Sequence, residues 1–179
     1  MSSDARTHLI RVLRSACSGE LAAIHAYRGH GASLRADAPE RARIRQIEEE
    51  EEHHRELVLG LLRELGAGPS RRREMIFWCI GKTIAFLCHI GGWFVPMYGA
   101  GRLERSNIKE YEDAARFAAE AGHDEMVDCL LMMAEVEWEH ERFFREVILG
   151  HWMLRLFPLW PAPPPKETIR AAHRLRESA

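Results

Sequence analysis

Glu137 and His140 stand three residues apart in the run Ala134-Glu135-Val136-Glu137-Trp138-Glu139-His140. On a helix that spacing places a carboxylate and an imidazole one turn apart on one face. Leu130, Met133, Phe144 and Val147 continue the same three-four stepping, so the pair falls inside an apolar stripe. A carboxylate placed there is costly unless something compensates its charge. A chain with this feature must therefore fold so that a compensating group reaches Glu137.

The rest of the chain repeats the problem. Periodicity predicts helices over about Ser3–Leu34, Glu40–Leu65, Met97–Ala121 and Asp124–Leu149. Asp37-Ala38-Pro39, Gly66-Ala67-Gly68-Pro69 and Gly122 mark the breaks. Glu20 lies on the first helix's stripe, between Ala16 and Ile24. In the second helix, the run from Glu48 to His54 contains two E-x-x-H readings, Glu50/His53 and Glu51/His54. Stepping from Ile44 and Ile47 towards Val58 and Leu61 selects Glu51 and His54 as the inward pair. Glu104 shares a face of the third helix with Ile108, Tyr111, Ala115 and Ala118. Thus 31 residues separate Glu20 from Glu51, and 33 separate Glu104 from Glu137. Each half reads as a helical hairpin with a lone Glu on its first helix and E-x-x-H on its second. No strand pattern is evident, and the expected fold is all-α.

If the halves pack antiparallel, four carboxylates and two imidazoles meet in the core of a four-helix bundle. Four buried carboxylates repel one another without cations. Two iron ions, or manganese in their place, would remove that repulsion. This donor set, one Glu from each of two helices and E-x-x-H from each of the other two, is that of ferritin-like di-metal carboxylate proteins. Mixed oxygen and nitrogen ligation suits Fe or Mn, and the set has no thiolate for structural zinc or an iron–sulfur cluster. The predicted ligands are Glu20, Glu51, His54, Glu104, Glu137 and His140. A lone E-x-x-H carries little weight, because the five-glutamate run could be an ordinary solvated face. The matched repeat is what makes the metal reading.

Between the second and third helices lies the apolar segment Met75 to Ala100, interrupted by Lys82, Thr83 and His89 and preceded by Arg71-Arg72-Arg73. Gly81, Gly91, Gly92 and Pro96 predict a broken helix. A single membrane crossing there would put the two halves of the ligand set on opposite sides of the bilayer. The expectation is a segment lying on or dipping into one leaflet with its arginines near anionic headgroups. The competing reading is a fifth core helix or a homodimer interface. The bundle is expected over residues 1–150. A tail over 151–179 is apolar and aromatic from His151 to Pro161, Pro-rich at Pro163-Pro164-Pro165, and helical and basic from Lys166 to Arg176. The stretch from Trp152 to Trp160 either anchors at a membrane surface or covers a bundle end.

Composition excludes other classes. With 25 basic and 27 acidic residues, nothing points to nucleic acid. Cys17, Cys79, Cys88 and Cys129 make no C-x-x-C pair and read as reduced thiols of a cytoplasmic protein. Met1-Ser2-Ser3-Asp4 lacks a leader's basic region and apolar core.

From about Arg11 to Gly150 the chain resembles the ferritin-like di-iron family, and within it the demethoxyubiquinone hydroxylase (Coq7) group. The run Ser18-Gly19-Glu20-Leu21-Ala22-Ala23-Ile24-His25-Ala26-Tyr27-Arg28-Gly29-His30 is similar to that group's G-E-x-x-A-I-x-x-Y-x-G-Q start. Glu104…Tyr111 resembles its third-helix ligand segment, and Glu137-x-x-His140 its last. His30 replaces the usual Gln, and Asn107-Ile108-Lys109-Glu110 replaces a histidine-rich segment. The resemblance implies Glu20 and Glu104 as terminal ligands, Glu51 and Glu137 as bridges, His54 and His140 on one metal each, and Tyr111 close behind them. It also implies O₂-dependent hydroxylation of a lipophilic quinone or related aromatic, with two electrons from a donor such as NADH. No G-x-G-x-x-G fingerprint is present, so electrons would arrive through the substrate or a reductase partner. Association with the inner face of a membrane follows from the same resemblance. The alternative on this fold is a rubrerythrin- or ferritin-like oxidase, peroxidase or iron-storage protein.

Overall fold

A computed structural model describes the backbone of residues 3–177 and the side chains of residues 4–174. Met1 and Ser2, part of the N-terminal stretch read for a leader, lie outside them. Among the described residues there are six α-helices, one 3₁₀ turn and no strand. The helices are α1 (Ser3–Ser33), α2 (Glu40–Glu64), α3 (Arg71–Ile90), α4 (Phe94–Glu120), α5 (Asp124–Ile148) and α6 (Glu167–Glu177). The all-α expectation holds, with an extra apolar helix, α3, between the second and third ligand-bearing helices.

Two compact units divide the chain, Ile10–Pro96 and Met1–Leu9 with Met97–Ala179. In Ile10–Pro96, α1 and α2 form an antiparallel hairpin. Arg28 near the end of α1 meets Glu48 and Glu52, while Arg55 meets the Cys17 carbonyl further back along α1. Gly66, at φ +62°, stops α2 in the left-handed conformation, where the Ala67 N–H returns to the Leu62 carbonyl at 2.8 Å. Helix α3 then runs beside α1. Glu74 accepts from Ser18 Oγ at 2.9 Å and pairs with Arg55, tying all three helices at one point.

Higher up, α3 packs on α1 through small residues. A Cβ on Gly81 would lie 2.6 Å from the Ala22 carbonyl oxygen, and one on Gly29 would lie 2.4 Å from the Ala85 Cβ. Gly81 is therefore a packing site and not the break its sequence context suggests. The break falls at Gly91-Gly92, with Gly92 at φ +67°. Pro96 then sits in the first turn of α4, where its missing N–H costs nothing. That is why α4 begins three residues ahead of the expected Met97.

In the other unit α4 and α5 form a second antiparallel hairpin. Gly101 meets Phe144, and Asn107 reaches Glu137. Gly122, at φ +77°, makes the turn, and the His123 N–H closes on the Ala118 carbonyl at 2.9 Å. The buried stripe of α5 runs Met133, Glu137, Glu141, Phe144, Ile148, with Val147 only half-buried. Helix α6 runs back along α5, held by Arg170 on Glu135 at 2.7 Å and by Lys166 on Glu139.

Packing at Gly81 gives a paired prediction. Gly81→Ala should destabilise the protein by about 1–2 kcal/mol, because overpacking against the Ala22 backbone outweighs the gain in helix propensity. Gly60→Ala, in α2 with nothing within 4 Å of the new Cβ, should stabilise it by about 0.5–1 kcal/mol. Urea unfolding followed by circular dichroism measures both, and equal effects of the two would contradict the close approach.

Candidate metal centre

In Ile10–Pro96, the register of α2 sorts the acidic run. Glu48 and Glu52 pair with Arg28, Glu50 pairs with Arg43 at 2.8 Å, and Glu49 and His53 are exposed. Glu51 and His54 alone of the run turn inward, at 0 % and 2 % exposure. Glu20, at 3 %, joins them from α1. Each of these three offers a ligand atom within 4.8 Å of the others. Ile24, Tyr27, Ile47 and Val58 are buried on the same two helices and make the surroundings apolar. His30, one turn beyond Tyr27, is buried as well, and burial pushes its imidazole down to about 4.

The second hairpin repeats the arrangement. Glu104 on α4 and Glu137 and His140 on α5 are buried, and their ligand atoms also lie within 4.8 Å of one another. His140 Nδ1 is 3.7 Å from Glu137 Oε2. Asn107, one turn beyond Glu104, donates its amide to Glu104 Oε2 at 3.0 Å and to Glu137 Oε2 at 3.4 Å. Tyr111 is buried two turns beyond Glu104. Asn107 was legible only as a departure from a histidine-rich pattern. Its position three residues after Glu104, on the same face, was the available signal.

Electrostatics set what this site can hold. Burial, and then the charge of Glu137, raise the Glu104 carboxyl well above its ordinary value, while His140 and Asn107 pull it back. A neutral amide can orient two carboxylates but cannot cancel their charge. A divalent or trivalent cation can, and two carboxylates with an imidazole are donors that suit Fe or Mn. The residues present fit such an ion in each hairpin.

Two buried Glu/Glu/His sets, each carried on a helical hairpin, define an all-α carboxylate–histidine protein able to hold metal. Residues 7–92 match the model of the family described as Ubiquinone biosynthesis protein COQ7. Through that segment, which contains Glu20, Glu51 and His54, the chain is similar to the COQ7 family, in line with its ferritin-like di-iron resemblance. The match ends ahead of Glu104, Tyr111, Glu137 and His140, which stand on their geometry. Comparisons with curated proteins and with solved structures found no match.

The raised Glu104 carboxyl has a measurable consequence. A glutamate whose folded value exceeds its unfolded one favours the folded state below the unfolded value. That contribution is lost as pH rises through the folded value. In chelator-treated protein, Glu104→Gln should therefore raise stability at pH 8, and the gain should shrink towards pH 4.5. Denaturation midpoints across that range measure it. A variant no more stable than the parent at pH 8 would show that no repulsion is held there.

Proposed function

We propose that the chain is an O₂-dependent di-iron hydroxylase that acts on a lipophilic quinone or a related aromatic ring in ubiquinone biosynthesis. The observation that carries this reading is the pair of buried Glu/Glu/His sets in a chain whose residues 7–92 match the COQ7 family. In this reading the two sets serve one dinuclear centre, with Glu20, Glu51, His54, Glu104, Glu137 and His140 as its ligands. Two iron ions held there would supply the electrons that activate O₂. One oxygen atom enters a ring C–H bond as hydroxyl. The other leaves as water, with two electrons from a donor such as NADH or a reductase partner and two protons.

The chain's own residues do the rest. Asn107 holds the Glu104 and Glu137 carboxylates in a fixed relation through its two amide contacts. Tyr27, Ile47, Val58 and Met133 exclude water from around the ligands. The charged run on α2 is kept away from the site by Arg28 and Arg43.

Helix α3 supports the proposed substrate class. Among the described residues no helix is long and apolar enough to cross a membrane. Only Gly81 and Cys88 of α3 are buried, and Met75, Phe86 and Ile90 are 70 %, 64 % and 66 % exposed. Exposed Arg71 and Arg72 stand at its start and Lys82 at its middle. An apolar helix with cations beside it suits the surface of an anionic bilayer, where a lipophilic quinone resides. Peripheral attachment at the inner face of the membrane is part of the proposal.

Anaerobic loading with Fe²⁺ should give about two irons per chain, and the reduced protein exposed to O₂ should convert an added quinone to a hydroxylated product with NADH as donor. Glu137→Ala should abolish loading, whereas Glu50→Ala, outside the set and paired with Arg43, should leave it intact. Trace iron in the wild type would sink the reading, and loading that fails in Glu50→Ala but survives in Glu137→Ala would reverse the α2 register. Anionic liposomes should sediment the protein at low salt and release it as salt rises. Protein that stays wholly in the supernatant would remove the membrane from the proposal.

A further inference from the structure

Glu141 follows His140 directly, lies four residues beyond Glu137 and is fully buried, yet it belongs to neither ligand set. Its Oε1 is gripped from the tail. Trp160 Nε1–H donates to it at 2.6 Å, and Arg145 Nε donates to the same oxygen at 2.8 Å. Arg145 also reads the tryptophan itself. Its Nη2 donates to the Trp160 carbonyl at 3.1 Å, and its guanidinium lies 5.1 Å from the Trp160 ring centroid. Glu141 Oε2 makes no hydrogen bond among the described residues, so Trp160 and Arg145 carry the compensation of this buried carboxylate.

Trp160 occupies a prepared place. It is 9 % exposed, whereas Trp152, Leu156 and Phe157 of the same stretch are open to solvent. A Cβ on Gly101 would lie 2.5 Å from the Trp160 ring, so α4 leaves room for the indole by carrying glycine there. Beyond Trp160 the tail stays on α5. The Pro164 carbonyl accepts from Trp138 Nε1 at 2.8 Å, Lys166 pairs with Glu139, and Arg170 spans Glu135 and Asp128. These anchors fall on both sides of Glu137 and His140 along the helix.

We propose that Trp160 and Glu141 are positioning residues: the tail acts as a splint that fixes the rotation of α5, and so the aim of Glu137 and His140, through one buried indole–carboxylate bond. The inference rests on the metal reading of Glu104, Glu137 and His140 given above. Groups that orient metal ligands without touching the metal commonly change affinity by about 10- to 100-fold when lost.

The test is titration of Co²⁺ into the metal-free full chain, followed by its visible absorption, which reports coordination geometry. Trp160→Phe keeps the ring and removes the donor. It should weaken Co²⁺ binding by about tenfold and change the band pattern, with helix content unchanged by circular dichroism. Gly101→Ala, which crowds the indole without altering Trp160 or Glu141, should act in the same direction and decides the matter if Trp160→Phe fails to fold. Trp152→Ala, on the exposed part of the tail, should bind as the wild type does. Affinity within twofold of wild type and a superimposable spectrum for Trp160→Phe would overturn the proposal, as would an equal loss in Trp152→Ala. If the wild type itself takes up no Co²⁺, the metal reading fails and this inference falls with it, a result distinct because it precedes any substitution.

Discussion

The cost of burying carboxylates governs this structure. Five glutamates, at positions 20, 51, 104, 137 and 141, are withdrawn from water among apolar side chains. Each would be destabilising on its own account. The structure answers in two ways. At Glu141 it supplies an indole and a guanidinium, so the carboxylate is compensated within the protein. At Glu104 and Glu137 it supplies an amide and an imidazole, and the Glu104 carboxyl rises towards neutrality. Glu141 is thus met by a full positive charge within the protein, whereas Glu104 and Glu137 share a neutral amide and an imidazole.

Much of this could be read from spacing alone, because helical phase is a rigid constraint. Once Ile44 and Ile47 are on the buried face, Glu51 and His54 must follow, and Glu50 and His53 cannot. The same phase places Glu104 with Ile108 and Tyr111. Features that depend on a neighbour in space were not legible. Gly81 reads as a helix breaker until the Ala22 backbone is seen 2.6 Å from where its side chain would begin. The stretch from Trp152 to Trp160 reads as one apolar unit, yet it divides. Trp160 turns inward to a carboxylate, and Trp152 and Leu156 turn outward. A difference of that kind is set by a partner 19 residues away, which no local pattern carries.

The two sides of α3 show why an apolar helix need not be a core helix. Its small residues, Gly81 and Ala85, face α1, while Met75, Phe86 and Ile90 face away. This reverses the usual amphipathic arrangement, in which large apolar side chains are buried and the polar face is exposed. Packing through small residues gives close backbone contact but little area, so the helix is held by fit and by the Glu74 contacts at its foot.

That close contact also sets a distance. Helix α1 presents Ala22 and Gly29 to α3 and carries Glu20 one half-turn before Ala22. Helices in contact through small side chains lie at the short end of about 8–10 Å between axes. Glu20 therefore leaves the side of α1 turned away from α3, and both helices lie between that carboxylate and the outer face of α3. Any approach to that carboxylate from the apolar face must run around the pair of helices, because their backbones meet too closely at Gly81 and Gly29 to leave a way between them.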